Sequence, residues 1–232
     1  MKGIDVSNFQ ASLDFNKVDA EVCIIKASEG LTYINPSLKH SYSGARAKGM
    51  KVGYYHYLRA NDAVAEAKHF LSAICGLDNN CKLVIDAEQQ SEANGISART
   101  RKFADYLISQ GKEVVLYTGL SFYNNEILPN CKDIPLWVAA YQSTRPNIKS
   151  IGWQYSGTGA VDLNVFDSGI LLSTVKPTVI KTVVQPVNNV VKQTQTFLNS
   201  LGFVDQSGHK LIVDGITGAK TKYVLSLLAK KI

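Results

Sequence analysis

The sequence predicts an α/β fold: an irregular (β/α) barrel of eight strands with fewer helices, plus a small all-α module at the C-terminus. Three observations carry this. Eight short apolar runs, bounded by polar or turn residues, are spread over about the first 170 of the 232 residues. The early runs alternate with stretches of helical period, as parallel βαβ units do. After Leu172 the composition changes. Up to that point 17 Lys and Arg balance 17 Asp and Glu, whereas from Ser173 onward eight lysines face only Asp205 and Asp214, so the whole formal charge of +6 lies in the tail.

The elements follow in order. GIDVSNFQ (Gly3–Gln10) is a first strand, with Asp5 and Ser7 on one face. VCIIKASEG (Val22–Gly30) is the second, with Lys26, Ser28 and Glu29 at its end. Pro36 opens a helix that stops near Gly49. KVGYYHYL (Lys51–Leu58) is the third strand, and Asp62 caps the helix after it. KLVIDAEQ (Lys82–Gln89) is the fourth. Ser97 is the expected cap of a helix ending at Gly111. EVVLYTG (Glu113–Gly119) is the fifth strand, followed by a short helix around SFYNNEIL. PLWVAAY (Pro135–Tyr141), IGWQYS (Ile151–Ser156) and VDLNVF (Val161–Phe166) complete the set. These last three lie too close together for helical crossovers, hence an irregular barrel. An open doubly wound sheet is disfavoured because no G-x-G-x-x-G follows a strand. The expected domains are a barrel over 1–172, a Val/Thr-rich linker with two prolines over 173–187, and a helical module over 188–232.

The fourth strand carries the chemistry. Asp86 and Glu88, two apart on a strand, point the same way at its carboxyl end. Two close carboxyls of reduced solvation repel, and the more buried one keeps its proton. An acid beside a carboxylate is what glycosidic cleavage needs. Taken alone, a D-x-E can equally cap a strand and face water. The other strand ends decide: Asp5, Lys26, Ser28, Tyr55 to Tyr57, Tyr117, Trp137, Tyr141 and Gln154, with Asp162 opening the last strand. Parallel barrels collect their chemistry at this end. Acids ringed by aromatics suit a carbohydrate, whose C–H faces stack on rings.

Composition narrows the class. No run approaches the roughly 18 apolar residues of a membrane span. Met1-Lys2-Gly3 leads directly into a strand, without the apolar core of a secretory signal. Cys23, Cys75, Cys81 and Cys131 show no C-x-x-C pattern and no nearby His pair, so neither a zinc site nor any cofactor is expected. Cys23 and Cys131 read as packing residues, while Cys75 and Cys81 are close enough in sequence to pair after export.

The ordered series GIDVSNFQ, IIKASEG, GYYHYL, LVIDAE, LWVAAY and WQYS…VDLNVF resembles the glycoside hydrolase family 25 lysozymes, muramidases of the Chalaropsis type that are common as phage endolysins and bacterial autolysins. The resemblance covers about the first 170 residues. It implies an irregular β/α barrel that cleaves the β-1,4 bond between N-acetylmuramic acid and N-acetylglucosamine. It places the general acid on Glu88, its companion on Asp86, and further site carboxylates on Asp5 and Asp162. Lys26, Tyr33, Tyr55, Tyr117 and Trp137 fall on positions that line the sugar groove. His56 sits in a Tyr-His-aromatic signature whose third residue is usually Phe and here is Tyr57. Alternation turns His56 away from Tyr55 and Tyr57, leaving a structural histidine and a substrate contact both open. Asp86 shares a strand face with Glu88 and is poorly placed for attack from the far side of a sugar. The substrate's own acetamido group, oriented by Asp86, is therefore the preferred nucleophile, with Asp86 itself as the alternative. Such an enzyme acts on Gram-positive peptidoglycan. Made in a host cytoplasm without a signal, it is expected to reach the wall by holin-dependent release.

In the tail, VKQTQTFLNSLGF places Val191, Thr194, Phe197, Leu198 and Leu201 at helical spacing, and a second helix follows with Thr217 as its expected cap. The order of motifs resembles the peptidoglycan-binding type 1 domain, without its usual third helix. The resemblance implies wall binding, and the lysines add attraction to anionic wall polymers. A nucleic-acid role is disfavoured: the tail has no arginine and few aromatics for phosphate forks or base stacking. A chitinase-like barrel is disfavoured by the missing D-x-x-D-x-D-x-E strand. A non-catalytic wall-binding barrel is disfavoured by the four retained carboxylates.

Overall fold

In the computed structural model, which describes residues 1–173, 189–215 and 217–228, eight strands close into a ring. They are β1 (Lys2–Val6), β2 (Val22–Glu29), β4 (Lys51–Tyr57), β5 (Leu83–Asp86), β6 (Val114–Gly119), β7 (Leu136–Ala139), β8 (Gly152–Ser156) and β9 (Asp162–Phe166). A two-residue strand, β3 (Tyr33–Ile34), pairs antiparallel with β2. Neighbours run β1-β9-β8-β7-β6-β5-β4-β2, and the parallel β1–β2 pairing closes the barrel. Only β9 is antiparallel to both ring neighbours. Its link to β8 spans 157–161, too short for a crossover, so the chain turns back as a hairpin. The β7–β8 link, 140–151, is long enough to keep that pair parallel without a helix.

Helices α1 (Leu38–Ala47), α2 (Ala63–Ala73) and α3 (Ile96–Ser109) cover one side. After β6, two short pieces, α4 (Leu120–Phe122) and α5 (Leu128–Cys131), flank a π-helical turn at Tyr123–Ile127. The central parallel strands are apolar on both faces because both are buried, whereas β9 leaves Leu163 and Val165 exposed. On β2, Val22 and Ile24 fill the barrel with Val84, Val115, Trp137 and Phe166. Cys23 and Ile25 turn outward to the layer of Leu38, Phe70, Phe103 and Leu107. The floor is tight. A Cβ on Gly3 would lie 2.4 Å from the Phe166 ring, and one on Gly152 would lie 2.7 Å from it. All four cysteines are free, and only Cys75 is exposed.

Three local expectations change. Ser7 does not continue β1. It caps the 3-10 turn Asn8–Gln10, its N–H held by Gln10 Oε1 at 2.9 Å. Ser97 is not the cap of α3, which starts after Gly95 in the left-handed region (φ 71°). Its hydroxyl instead donates to Ile127 O at 2.7 Å, tying α3 to the segment before α5. The regular strand β5 ends at Asp86, so Glu88 lies on the loop beyond it.

The chain divides into two compact units, Met1–Pro177 and Thr178–Ile232. The expected linker lies outside the described residues except for Ser173, whose N–H and hydroxyl donate to the Glu113 carboxylate. The second unit holds α6 (Asn189–Ser200) and α7 (Ala219–Leu228) around Leu198, Leu211 and Val224. The expected apolar stripe is only partly buried. Phe197 and Leu201 are half exposed, and Gln195 is buried beside Leu198. Hydrogen bonds take the place of packing there: Gln195 Nε2 donates to Asp214 at 2.8 Å, and its Oε1 accepts from the Gly215 N–H at 2.9 Å. The Gly218 carbonyl accepts from Lys222 N–H, so α7 begins one residue later than a Thr217 cap requires. Among the described residues no helix is long and apolar enough to cross a membrane.

Candidate active site

The pocket at the carboxyl rim of the strands is lined by Asp5, Tyr55, Val84, Asp86, Glu88, Tyr117, Trp137 and Asp162. Strand register builds it. Asp86 points inward because it has the parity of Val84, and the chain pairs it with Tyr57 on β4 and Tyr117 on β6. Asp5, one residue before the end of β1, lies directly opposite Asp162, which opens β9. The antiparallel course of β9 is what brings its amino end, and so Asp162, to this rim.

The four carboxyls differ in support. Asp5 is buried, and its Oδ2 accepts from Gln154 Nε2 at 2.9 Å and Asn164 Nδ2 at 2.8 Å. Burial and the neighbouring Asp162 charge still raise its pKa to about 7. Burial also raises Asp162. Asp86 is buried, and its Oδ1 accepts no hydrogen bond from the described residues. Its pKa lies well above the ordinary range, through burial first and the Glu88 charge second. Glu88 is exposed at the mouth, yet the pocket wall removes enough water to raise it, helped by the Asp162 charge and opposed by Lys26. Carboxyls that hold protons near neutrality beside ionised ones are the equipment of general acid catalysis.

The aromatic and basic residues divide into floor and lip. Tyr117 and Trp137 are buried in the floor, their rings 4.5 Å apart. Trp137 is therefore a wall of the pocket and not an open platform, and its indole N–H donates to Asn164 Oδ1 at 3.0 Å. Tyr33 stands partly exposed on the lip, with its hydroxyl donating to Asn8. Lys26 pairs with Glu29 at 2.6 Å, and its ammonium lies 4.9 Å from the Tyr57 ring centre and 5.5 Å from that of Tyr33. Among the described residues no group of three or more His, Cys, Asp or Glu is arranged to hold a metal ion.

His56 lies outside the pocket. It is fully buried on the opposite face of β4, with Nδ1 2.9 Å from Ser28 Oγ and Nε2 2.8 Å from Glu66 Oε2. It is a structural histidine. The amides that hold Asp5 were less visible in the sequence. Gln154 stands among the strand-end residues, but Asn164 does not. Its signal was its place two residues after Asp162, on the same face of one strand.

The model of the family described as glycosyl hydrolases family 25 matches residues 4–162. The chain belongs to this family. It is a glycoside hydrolase. The autolytic lysozyme of Clostridium acetobutylicum is 43% identical over 96% of this chain and 70% of its own length. A match of that extent reaches into the C-terminal unit. The N,O-diacetylmuramidase of Chalaropsis sp. is 29% identical over 67% of this chain and 84% of its own. Among solved structures, a family 25 lysozyme from Aspergillus fumigatus superimposes with a TM-score of 0.64, at 25% identity, over 72% of this chain and 93% of that one. The barrel with few helices is thus the architecture expected of the family.

Proposed function

We propose that this family 25 hydrolase is a lysozyme that cleaves the β-1,4 bond between N-acetylmuramic acid and N-acetylglucosamine of bacterial peptidoglycan. Glu88 is the general acid and Asp86 orients the substrate's 2-acetamido group. The observation that carries this reading is the unpartnered, buried Oδ1 of Asp86 beside an exposed Glu88 whose pKa is raised by loss of water and the Asp162 charge. A buried carboxyl oxygen without a donor is costly unless a ligand supplies one. An acetamido N–H is such a donor. When it binds, the Asp86 anion is stabilised, and the proton that burial favours on Asp86 passes to Glu88, the group at the open mouth. Glu88 then protonates the leaving oxygen while the acetamido oxygen attacks the anomeric carbon. Asp5 and Asp162 add negative charge facing the cation that develops. Lys26, Tyr33, Tyr55, Tyr117 and Trp137 shape the groove.

Product stereochemistry tests this directly. Both substrate-assisted attack and attack by Asp86 retain the anomeric configuration, so inversion seen by proton NMR of early products would refute the assignment. A sugar trapped covalently on Asp86 would refute the substrate-assisted route alone. For the C-terminal unit we infer binding to the Gram-positive wall, in part through anionic polymers. Lys210 and Lys222 are exposed there, and the extent of the match to the autolytic lysozyme supports a role shared with that protein.

A further inference from the structure

Asp5 and Asp162 sit directly opposite one another in the β1–β9 register, so their carboxyl groups share one face and each bears on the other's titration. Two carboxyl oxygens can share a hydrogen bond only if one proton lies between them. Where that proton sits depends on the far side of Asp5. Trp137 Nε1 can only donate, so the Asn164 oxygen must face it and the Asn164 nitrogen must face Asp5. The second N–H of that nitrogen reaches the Asp162 carbonyl at 3.3 Å. Gln154 is oriented in the same way: its Oε1 accepts from the Tyr117 hydroxyl at 2.8 Å and the Tyr141 hydroxyl at 2.9 Å, which leaves Nε2 for Asp5. Both amide donors converge on one atom, Asp5 Oδ2.

We propose that Gln154 and Asn164 are positioning residues that form an amide clamp on Asp5, filling Oδ2 so that the single proton of the Asp5–Asp162 pair is held on its other side, between the two carboxyls. The indole of Trp137 and the hydroxyls of Tyr117 and Tyr141 set the orientation of the clamp. The titratable groups around the pair are Asp86 and Glu88 from the β5 end, Tyr55 from β4, Tyr117 from β6 and Tyr141 after β7, with Lys26 of β2 acting on Asp86 and Glu88. Lys26 is the cation of this set, and it is already paired with Glu29. The clamp therefore supplies the local stabilisation of the Asp5 anion and limits how far Asp162 and burial raise the pair. It keeps the pair a monoanion, facing Glu88 with one negative charge.

The role in catalysis rests on the lysozyme reading, but the clamp can be tested on the free enzyme. Asn164→Leu and Gln154→Met each remove one N–H donor at nearly constant size, and Gln154→Glu replaces the donor by a like charge. The aspartate carboxyl carbons are titrated by carbon-13 NMR without substrate, and the pH profile of kcat/KM is measured on soluble wall fragments. The upper midpoint of the pair should rise by about one to two pH units in each donor-deleting variant, as expected for losing a hydrogen bond to a charged group. It should rise at least as far in Gln154→Glu. The kinetic midpoint assigned to the pair should move in the same direction. A merely structural role would lower kcat at every pH and leave the midpoints in place. If Asn164→Leu does not fold, Gln154→Met carries the test, because the Gln154 side chain bonds only Asp5 and the hydroxyls of Tyr117 and Tyr141, and no residue of β9. Unmoved titration midpoints in folded variants overturn the clamp, whatever the activity. Moved midpoints support it even in a protein that proves unable to cut walls, in which case only the lysozyme reading fails.

Discussion

Two buried carboxyls on neighbouring elements have opposite fates. Glu66, on α2, is fully buried and accepts from His56 Nε2, the N–H groups of Arg59 and Asn61, and the Asn61 side chain. Burial pushes its pKa up, but these donors outweigh burial and hold it below the ordinary value. Asp86 is equally hidden, has an oxygen without a donor, and is raised. Burial alone thus says little about function. A buried carboxyl whose acceptors are filled is a structural tie, and one left open toward a pocket is set for a ligand.

Substitutions can break this contrast, and the largest effect is expected at the pocket. Glu88→Gln should lower kcat by about 10²–10⁴-fold, the usual worth of a general acid, with unchanged thermal stability and wall binding. Asp86→Asn should lower kcat by roughly 10²-fold, while the melting temperature stays level because Asp86 Oδ1 ties down nothing else in the fold. Glu66→Leu should do the reverse. It strands several buried donors and should cost about 3 kcal/mol or more of stability, yet leave kcat per folded molecule near native. Combined denaturation and kinetic measurements on the three variants check the set. A Glu66→Leu enzyme that is stable but inactive would erase the distinction.

The same contrast appears in pH dependence. The folded pKa of Asp5 is raised, to about 7, so the stability it contributes is present below its unfolded value near 3.9 and is lost as pH rises through 7. Glu66 is lowered, so its contribution is present above about 4.3 and is lost as pH falls through its folded value. Between pH 5 and pH 8, native protein should therefore lose stability relative to Asp5→Asn. Urea melts across that range test the sign, and parallel curves would contradict it.

Most of the barrel was legible because buried parallel strands write themselves as apolar runs, and the four acids stood out as charges at their ends. Glu66 was not legible as a buried group: one Glu in the helix AVAEAKHF looks like a solvent-facing position until His56 is placed against it. Asn164 was missed because an amide on an alternating strand looks like an ordinary outward polar residue. Its parity with Asp162, two residues earlier on β9, is what aims it into the barrel. Gln195 shows the same blind spot in the second unit, where helical spacing favoured Phe197 and Leu201 and hydrogen bonding buried Gln195 instead.

The smallest effect is expected far from the pocket. Ending the chain after Pro177, the limit of the first unit, should leave a folded barrel with near-native rates on soluble fragments and weaker binding to intact walls. Part of the lost binding should be salt-sensitive. A pull-down on purified walls across a salt series, with and without the second unit, measures both parts.

The most direct test of the central claim is the chemistry of the ends released from purified Gram-positive peptidoglycan. Native protein should generate new reducing ends that are N-acetylmuramic acid, Glu66→Leu should do so in proportion to its folded fraction, and Glu88→Gln should generate almost none. New ends that are N-acetylglucosamine, or undiminished release by Glu88→Gln, would contradict the account.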